Sequence, residues 1–290
     1  MTQLHTLKQI KFSKMHGLGN DFVVINALDE PFSLSNEEIN TLGNRKTGIG
    51  FDQLLVVEPA DTDDVDFNYR IFNTDGSEVE HCGNGARCFA KFIHDKGLSN
   101  KKHLKVKVKK GIIATTYTDD DNIEVAMGKP ILTPSQVPFN CSSHYPTDEY
   151  QNQYELTFGD DENGLPVCVL SMGNPHCVFF VTDLWKLSIV ELGTAIQKSA
   201  YFPESVNVNF VEIIDKNTIE LRTYERGVGE TDACGTGACA SAFATQAIGI
   251  GSNEIQVKMR GGELSIRIDE EQQIFMSGPA RHVFDGEIML

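Results

Sequence analysis

The chain has 290 residues, of which 40% are apolar and 9% aromatic, with 25 Gly and 10 Pro. At roughly 100 to 200 residues per domain, this predicts a globular protein of two domains and argues against a fibrous or disordered chain. The 41 acidic residues outnumber the 25 basic ones, giving a net charge of −16. Because such a surface repels phosphate backbones and anionic lipids, we expect neither nucleic acid nor a membrane as a partner.

The N-terminus and the cysteine content both predict a cytoplasmic location. The first ten residues hold no apolar stretch of signal-peptide length, and no segment approaches the roughly 20 apolar residues of a membrane helix. Seven cysteines are spread over the chain, unlike the dense, even-numbered frameworks of small secreted proteins. We therefore expect most of them to be reduced.

Hydrophobic patterning predicts more strands than helices. An antiparallel hairpin is predicted from strands at 11–16 and 21–26, and the alternating apolar and basic residues at 104–109 predict a strand whose lysines face water. Further strands are predicted at 112–117, 123–127, 166–171, 177–181, 206–213, 219–224, 255–259 and 263–268. Helices are predicted at 37–42 with Ser35 as N-cap, 85–96, 190–199 and 237–248.

A proline-rich, polar stretch between residues 129 and 154 interrupts this pattern. It predicts a crossover between two halves, 1–132 and 133–278.

A short motif occurs once in each half. His81–Cys88 is HCGNGARC and Ala233–Ala240 is ACGTGACA, so Cys-Gly-(Asn/Thr)-Gly-Ala recurs about half a chain later. An acidic turn precedes each copy and a predicted helix follows it. This repetition predicts two duplicated domains.

The motif favours acid–base chemistry on a carboxylate substrate. A glycine-rich helix start presents backbone N–H groups and the positive end of the helix dipole, which bind an anion and should lower the pKa of a cysteine there. With Cys82 and Cys234 on opposite faces of one carbon, one thiolate could remove a proton while the other thiol delivers one. The helix ends would stabilise the carbanion-like transition state, so the pattern favours racemisation or epimerisation.

The cysteines have two other possible roles, in packing and in zinc binding. A single Cys-Gly pair is more often a packing thiol, but its duplication favours function. The spacings Cys82–Cys88 and Cys234–Cys239 do not match zinc-site spacing, and no metal is expected. The remaining cysteines are interpreted as structural: Cys88, Cys141, Cys168, Cys177 and Cys239.

Taken together, seven ordered segments resemble the diaminopimelate epimerases, which interconvert LL- and meso-diaminopimelate in lysine and peptidoglycan precursor biosynthesis without a cofactor. These segments are Phe12–Phe22, Arg70–Ser77, Cys82–Cys88, Met172–His176, Asn207–Asn209, Glu225–Thr231 and Cys234–Ala238. The resemblance implies an α/β (α+β type) fold of two pseudo-symmetric duplicated domains. Each is a curved, mostly antiparallel sheet wrapped around a central helix, with the active site in the cleft between them.

The resemblance also implies roles for individual residues. Cys82 and Cys234 would be the acid–base pair, with His176 and Glu225 tuning their pKa values and Phe22 closing the pocket. Backbone N–H groups of the two helix starts would hold the α-carboxylate, Glu225 the α-ammonium and Arg226 the distal carboxylate. The implied substrate-binding residues are Asn20, Gln53, Asn73, Gly83, Asn84, Asn174, Asn207, Glu225, Arg226, Gly235 and Thr236.

The C-terminus departs from the family pattern at one position. Phe284 stands where the family is expected to carry a tyrosine at a homodimer interface, so the chain loses a hydroxyl but keeps the aromatic area. We expect a homodimer and expect residues 279–290 to pair back onto the first half.

Two other functions are compatible with the sequence. One is a proline racemase-like or phenazine-pathway-like isomerase. A proline-type substrate has no second amino-acid end, so such an enzyme would not need Arg226 and the asparagines to bind it. The other is a thiol redox sensor in which Cys82 and Cys234 form a regulatory disulfide. No local signature of a lysine that binds pyridoxal phosphate is found, and no cofactor is expected.

Overall fold

The computed structural model describes residues 8–79, 83–118, 122–140, 153–157 and 164–290. The helices in these ranges are α1 (Asn36–Gly43), α2 (Gly83–Asp95), α3 (Ile189–Gln197) and α4 (Gly235–Ala247). The strands are β1 (Gln9–Gly17), β2 (Asn20–Asn26), β3 (Gln53–Pro59), β4 (Phe67–Asn73), β5 (Glu78–Val79), β6 (His103–Val108), β7 (Gly111–Tyr117), β8 (Ile123–Gly128), β9 (Gln153–Leu156), β10 (Leu165–Ser171), β11 (Pro175–Phe180), β12 (Asn207–Asp215), β13 (Thr218–Glu225), β14 (Gly229–Thr231), β15 (Glu254–Met259), β16 (Gly262–Ile268), β17 (Ile274–Gly278) and β18 (Arg281–Met289).

The chain divides into two compact units. The N-terminal unit comprises residues up to 125 together with 278–290, and the C-terminal unit comprises 126–277. The predicted boundary near residue 133 lies inside the C-terminal unit.

The N-terminal unit is a mixed sheet in the order β18-β1-β2-β3-β4-β6-β7-β8, with the short β5 also paired to β4. The β2–β3 and β4–β6 pairs are parallel and the others antiparallel. Helix α1 connects β2 to β3, and α2 connects β5 to β6. The C-terminal strand β18 therefore pairs with β1 of the N-terminal hairpin in an antiparallel ladder.

The C-terminal unit repeats this topology strand for strand. Its order is β9-β10-β11-β12-β13-β15-β16-β17, with the short β14 also paired to β13. Again the third and fifth pairings, β11–β12 and β13–β15, are the parallel ones. Helices α3 and α4 occupy the places of α1 and α2. This correspondence confirms the duplicated fold that the repeated motif predicted.

In the N-terminal unit the sheet is covered on both faces. Four consecutive residues are buried in β2 (Phe22–Ile25) and four in β3 (Leu54–Val57). A sheet with one solvent-exposed face would instead show alternating buried and exposed residues. Alternate residues of these runs pack with Ile39 and Leu42 of α1, while α2 also contacts both strands. Helix α2 therefore lies on the face opposite α1, as the central helix of this unit.

Helix α4 is the central helix of the C-terminal unit. It contacts β10, β11, β12, β13, β15 and β16, and every residue from Gly237 to Thr245 is buried. A helix that is buried all round needs small residues, and this one has Gly, Ala, Ser and Cys at most of these positions. Its first turn is thereby held at the ends of β11 and β13, where the candidate site lies.

All four helices form where they were predicted. Ser35 caps α1 through a capping box, accepting a hydrogen bond from the Glu38 backbone N–H while the Glu38 carboxylate accepts one from the Ser35 N–H. Six strands were not predicted: β3, β4, β5, β9, β14 and β17. No helix in the described ranges is long and apolar enough to cross a membrane.

Candidate active site

The candidate site of the C-terminal unit is centred on Cys234, the N-cap residue of α4. Its backbone is extended, with φ −123° and ψ 108°, and its sulfur accepts a hydrogen bond from the Gly237 N–H at 3.4 Å. The N–H groups of Gly235 and Thr236 have no acceptor within the helix, because the first turn of a helix lacks preceding carbonyls. A thiol and two anion-binding donors therefore occupy one helix start.

The carboxyl group of Glu225 contacts this thiol. Glu225 ends β13, accepts a hydrogen bond from the Thr231 hydroxyl at 2.5 Å, and shares another with the Cys234 thiol. Burial raises the pKa of Glu225 above its usual value, although these hydrogen bonds act in the opposite direction.

The pKa of Cys234 contradicts the expectation that the helix dipole lowers it. Burial is the larger cause that raises its pKa well above the usual value, and the neighbouring Glu225 carboxylate is the second. Hydrogen bonds from Thr236 and the Gly237 N–H favour the thiolate but do not offset burial. Cys234 is therefore a thiol in this structure, and the prediction of a lowered pKa is wrong for this cysteine.

A chain of hydrogen-bonded side chains leads from Cys234 into the core of the unit. The Thr236 hydroxyl lies 3.6 Å from the Cys234 sulfur and accepts a hydrogen bond from the Asn174 amide at 3.3 Å. The Asn174 carbonyl oxygen lies 3.0 Å from Nε2 of His176, and Nδ1 of His176 lies 3.0 Å from the amide nitrogen of Asn209. The four predicted site residues Asn174, His176, Cys234 and Thr236 are thus brought together.

His176 is fully buried and uncharged. Burial lowers its pKa to about 3, with Arg226 a second, electrostatic cause. A neutral imidazole has one N–H donor and one acceptor nitrogen. At neutral pH His176 therefore cannot act on the thiols as an imidazolium, and any influence on them passes through its hydrogen bonds.

Arg226 and Asn207 form a neighbouring pair. The Asn207 amide oxygen accepts a hydrogen bond from the Arg226 backbone N–H at 3.0 Å, and its amide nitrogen donates to the Pro175 carbonyl at 3.0 Å. The Arg226 guanidinium is exposed and donates to the Glu204 carbonyl at 3.1 Å. Asn207 is therefore buried as a backbone anchor, and the guanidinium of Arg226 is accessible to a ligand.

In the N-terminal unit, helix α2 begins at Gly83, and Asn84 in its first turn contacts Asn20 of the hairpin turn. The Asn84 amide donates to the Asn20 oxygen at 3.3 Å, and its own oxygen accepts from the Arg87 guanidinium at 2.9 Å. Arg87 is fully buried and also donates to the Pro279 carbonyl at 3.3 Å. Arg87 was not predicted as a site residue, but its buried guanidinium binds the side chain of Asn84 in the first turn of α2.

Asn20 is hydrogen-bonded to a cluster of ion pairs. The cluster consists of Lys14, Asp21, Arg45 and Asp52. Asp52 accepts from the Asn20 amide at 2.8 Å and from the Arg45 guanidinium at 2.7 Å. Burial raises the pKa of Asp21, but hydrogen bonds from Arg45 and Lys14 outweigh it and hold the pKa at about 2. This cluster was not predicted, because its members are separated by up to 38 residues and carry no recognisable motif.

Gln53 and Asn73 form a third predicted group. They are directly opposed on β3 and β4, and the Gln53 amide donates to the Asn73 oxygen at 3.1 Å. Phe22 is paired in register with Gln53 and is fully buried. Its proposed part in closing a pocket stays a prediction.

The remaining predicted residues are placed as follows. Cys82 and Cys141 lie outside the described residues. Cys88, Cys168, Cys177 and Cys239 are buried free thiols, and burial raises the pKa of Cys168 to about 12. Phe284 is 46% exposed on β18 and its ring meets that of Phe12 edge to face at 6.0 Å. Among the described residues, no group of three or more His, Cys, Asp or Glu is placed to hold a metal ion.

Comparison with known proteins identifies the family. The sequence model of diaminopimelate epimerase matches residues 12–133 and 168–283, both copies of the Cys-Gly-X-Gly-Ala motif included. The chain belongs to the diaminopimelate epimerase family. The curated diaminopimelate epimerases of Acinetobacter baumannii and Acinetobacter baylyi are each 43% identical to it over 97% of this chain and 98% of theirs. Members of this family are isomerases.

Solved structures of lower identity share the fold. A phenazine biosynthesis protein of the PhzF family from Bacillus anthracis superposes with a TM-score of 0.68 at 19% identity, covering 98% of this chain and 100% of that one. A hydroxyproline epimerase from Agrobacterium vitis superposes with a TM-score of 0.70 at 12% identity, covering 97% and 93%. The architecture is thus shared with proteins whose names indicate different activities, and the fold alone does not select a substrate.

Proposed function

We propose that this member of the diaminopimelate epimerase family converts LL-2,6-diaminopimelate to meso-diaminopimelate, a step of lysine and peptidoglycan precursor biosynthesis, with two cysteines and no cofactor. The observation that carries the chemistry is the position of Cys234. Its thiol caps α4 beside two N–H donors of the first turn and shares a hydrogen bond with Glu225. A helix start of this kind fits the α-carboxylate of an amino acid and places a sulfur next to its Cα.

The proposed reaction exchanges one proton for another at Cα. A thiolate, from Cys82 or Cys234 according to the direction, removes the Cα proton, and the electron pair delocalises into the substrate carboxylate. The other cysteine, as a thiol, delivers its proton to the opposite face, so configuration inverts and each sulfur ends in the other's initial state. N–H groups of Gly83 and Asn84 in one unit, and of Gly235 and Thr236 in the other, would hold the carboxylate on which negative charge develops.

The high pKa of Cys234 fits this cycle. Because burial and Glu225 keep it protonated, Cys234 is the proton donor in the resting form, and Cys82 would be the base for the first turnover. An α-ammonium bound by Glu225 would neutralise the carboxylate and ease the later ionisation of Cys234. Glu225 thereby links substrate binding to the proton affinity of the thiol.

The distal end of the substrate is assigned to Arg226 and the asparagine set. The exposed guanidinium of Arg226 is a planar fork for a carboxylate. Asn20, Gln53, Asn73, Asn174 and Asn207 are proposed as polar contacts. Asn174 and Asn207 already use amide groups in hydrogen bonds with protein atoms, so they can also act by fixing their neighbours.

Hydrogen exchange at Cα tests the proposal. Purified protein is incubated in deuterium oxide with LL-diaminopimelate, and product configuration and Cα deuterium are followed by NMR. We expect meso product that carries solvent deuterium at the inverted carbon, and no exchange in Cys234→Ala. Exchange with proline or trans-4-hydroxyproline but not with diaminopimelate would favour the rival isomerases, and no exchange with any of them would contradict epimerase function.

The absorbance spectrum of the same sample tests the absence of a cofactor. A Schiff-base band of pyridoxal phosphate would contradict the cofactor-independent mechanism.

We also propose a cytoplasmic homodimer. Support comes from the apolar residues exposed on β18, Val283, Phe284 and Met289, each about half exposed. Exposed apolar residues grouped on one strand are typical of an interaction surface.

A further inference from the structure

The chain of hydrogen bonds that reaches Cys234 begins at two buried residues to which no function has been assigned so far. Asn209 is fully buried and Thr223 is 3% exposed. They are directly opposed on β12 and β13, and the Thr223 hydroxyl donates to the Asn209 amide oxygen at 3.1 Å. This bond orients the amide, so that its nitrogen faces Nδ1 of His176 at 3.0 Å.

The orientation of that amide decides the tautomer of His176. Asn209 presents an N–H donor to Nδ1, so Nδ1 must be the acceptor nitrogen and the single proton of the neutral ring must be on Nε2. Nε2–H then donates to the Asn174 oxygen at 3.0 Å. The Asn174 amide nitrogen is left facing Thr236 and donates to its hydroxyl oxygen.

The last hydrogen bond, between the Thr236 hydroxyl and the Cys234 sulfur, connects these residues to the proposed acid–base thiol. Because the Thr236 oxygen already accepts from Asn174, its hydroxyl proton is available to the Cys234 sulfur, 3.6 Å away. If the Asn209 amide were flipped, the donor and acceptor of each following hydrogen bond would exchange. The Thr236 hydroxyl would then donate its proton to Asn174. The thiolate form of Cys234 would then lose a hydrogen-bond donor.

Helix α4 packs directly on this pair. A Cβ atom at Gly237 would lie 2.7 Å from the Asn209 amide oxygen and 3.1 Å from the Thr223 hydroxyl. Only glycine lets the first turn approach so closely. The pair therefore contacts the helix start that carries Cys234 as well as the histidine.

We propose that Asn209, held by Thr223, is a positioning residue of the epimerase: it fixes His176 as the tautomer protonated on Nε2 and so directs the hydrogen-bond chain toward the Cys234 sulfur. The catalytic part of this inference rests on the proposed function. The tautomer itself does not, because it follows from contacts within one unit. Burial keeps His176 neutral, so the ring has a single nitrogen-bound proton whose position the hydrogen bonds decide.

The first test measures the tautomer without reference to activity. The protein is labelled with ¹⁵N-histidine, and ring nitrogens are correlated with ring carbon-bound protons at neutral pH, which separates protonated from bare nitrogens. The chain has eight histidines, and the His176 signals are identified by their loss in His176→Gln. We expect a bare Nδ1 and a protonated Nε2. A proton on Nδ1 in the wild type would overturn the proposal.

The second test reverses the direction of the hydrogen bonds between Asn209 and Cys234. Asn209→Asp keeps the shape but can only accept at Nδ1, so it should move the ring proton to Nδ1 or protonate both nitrogens. We expect kcat to fall on the order of ten- to a hundred-fold, the factor for losing one hydrogen bond to a charged group, with a smaller change in KM. An unchanged tautomer, or a changed tautomer with wild-type kcat, would overturn the positioning role.

Two milder variants guard against misfolding. Thr223→Val removes the hydroxyl that orients Asn209 and should give a mixture of tautomers and a lower kcat, while Thr223→Ser keeps the donor and should recover most of the activity. Thr115→Val is the matched control, since Thr115 is 1% exposed on β7 and its hydroxyl has no hydrogen-bond partner among the described residues. If Thr115→Val lowered kcat as much as Thr223→Val, the effect would be general loss of packing and the proposal would fall.

The two proposals can fail separately. Wild-type protein that does not epimerise diaminopimelate would contradict the proposed function and with it the catalytic part of the role of Asn209. The nitrogen spectra would still decide whether Asn209 sets the tautomer.

Discussion

The carboxyl group of Glu225 shares a hydrogen bond with the thiol of Cys234 at the start of α4. The effect of this contact differs for the two groups: the hydrogen bond lowers the pKa of Glu225, whereas the carboxylate raises the pKa of Cys234. Burial is the larger cause of the raised pKa of Cys234, and the Glu225 carboxylate adds to it. This contact predicts how the thiol should respond when the carboxylate is replaced.

Glu225→Gln should lower the pKa of Cys234. Burial, the larger cause of the raised pKa, remains, but the repulsion from the carboxylate is removed. Alkylation of Cys234 by a small reagent, followed by peptide mass spectrometry over a pH series, should therefore have its midpoint at lower pH in the variant. Cys168, whose pKa burial alone raises to about 12, is the internal control. A midpoint that moved upward would contradict the pairing, and epimerisation should fall because the ammonium loses its partner.

Each proposed acid–base thiol should be indispensable. Cys82→Ala and Cys234→Ala should each lower kcat at least 10²- to 10⁴-fold, the usual contribution of an acid–base group. The matched controls are Cys88→Ala and Cys239→Ala, which remove buried thiols of α2 and α4 and should affect stability more than kcat. Near wild-type turnover in either of the first two variants would exclude the two-base mechanism.

The ion-pair cluster next to Asn20 should stabilise the N-terminal unit fully above about pH 4 and lose this contribution progressively as pH falls toward 2. The folded pKa of Asp21 is about 2 against a usual 3.8, so its contribution is present above the unfolded value and is lost as pH falls through the folded one. Arg45→Met should lower the free energy of unfolding at pH 7 by about 1 kcal/mol, reduced by solvent screening at the exposed guanidinium.

Urea unfolding at a series of pH values measures this effect. The difference between wild type and Arg45→Met should shrink as Asp21 becomes protonated in both. Lys107→Met removes an ion pair with Asp61 in which both side chains are about half exposed and should change little at any pH. An Arg45→Met effect that persisted undiminished in acid would mean that packing, not charge, is responsible.

The sequence predicted the helices and the repeated motif because both depend on neighbouring residues. Strand β3 was missed because its LLVV segment is a continuous apolar run without alternation, which a sheet covered on both faces explains. The pKa of Cys234 was mispredicted because burial is a tertiary property that the helix-start motif does not report. Asn209 follows Asn207 on the same face of β12, a visible signal, but its contact with His176 joins residues 33 apart in sequence.

Phe284 should contribute to self-association. It is 46% exposed, and a charge in an apolar interface is costly because it must be desolvated. Sedimentation velocity should show Phe284→Glu shifted toward monomer relative to wild type, whereas Ile112→Glu, on β7 and 49% exposed, should not be shifted. Phe284→Tyr restores the hydroxyl expected in the family and should tighten the dimer if that hydroxyl finds a partner. A wild type that sediments as a monomer at all concentrations would contradict the homodimer.

Arg226 should determine whether the substrate must have a second carboxylate. Its guanidinium is exposed, and its backbone is fixed by the Asn207 amide. Arg226→Lys keeps the charge but loses the planar fork, so kcat/KM for LL-diaminopimelate should fall clearly. Arg226→Ala removes the charge and the planar fork together, so it should lower kcat/KM further, by on the order of 2 kcal/mol of transition-state stabilisation. This is the lower end of the range for a buried charge pair, because the Arg226 side chain is exposed in the free protein.

Lysine, which lacks the distal carboxylate, is the matched substrate for this test. Because binding energy from a remote group also aligns the reacting end, wild type should lose kcat as well as affinity with lysine. The ratio of kcat/KM for diaminopimelate over lysine should be large in wild type and should collapse in Arg226→Ala, since neither substrate can then use the fork. Equal turnover of both substrates by wild type would show that no distal carboxylate is recognised, and the assignment of diaminopimelate as substrate would fall with it.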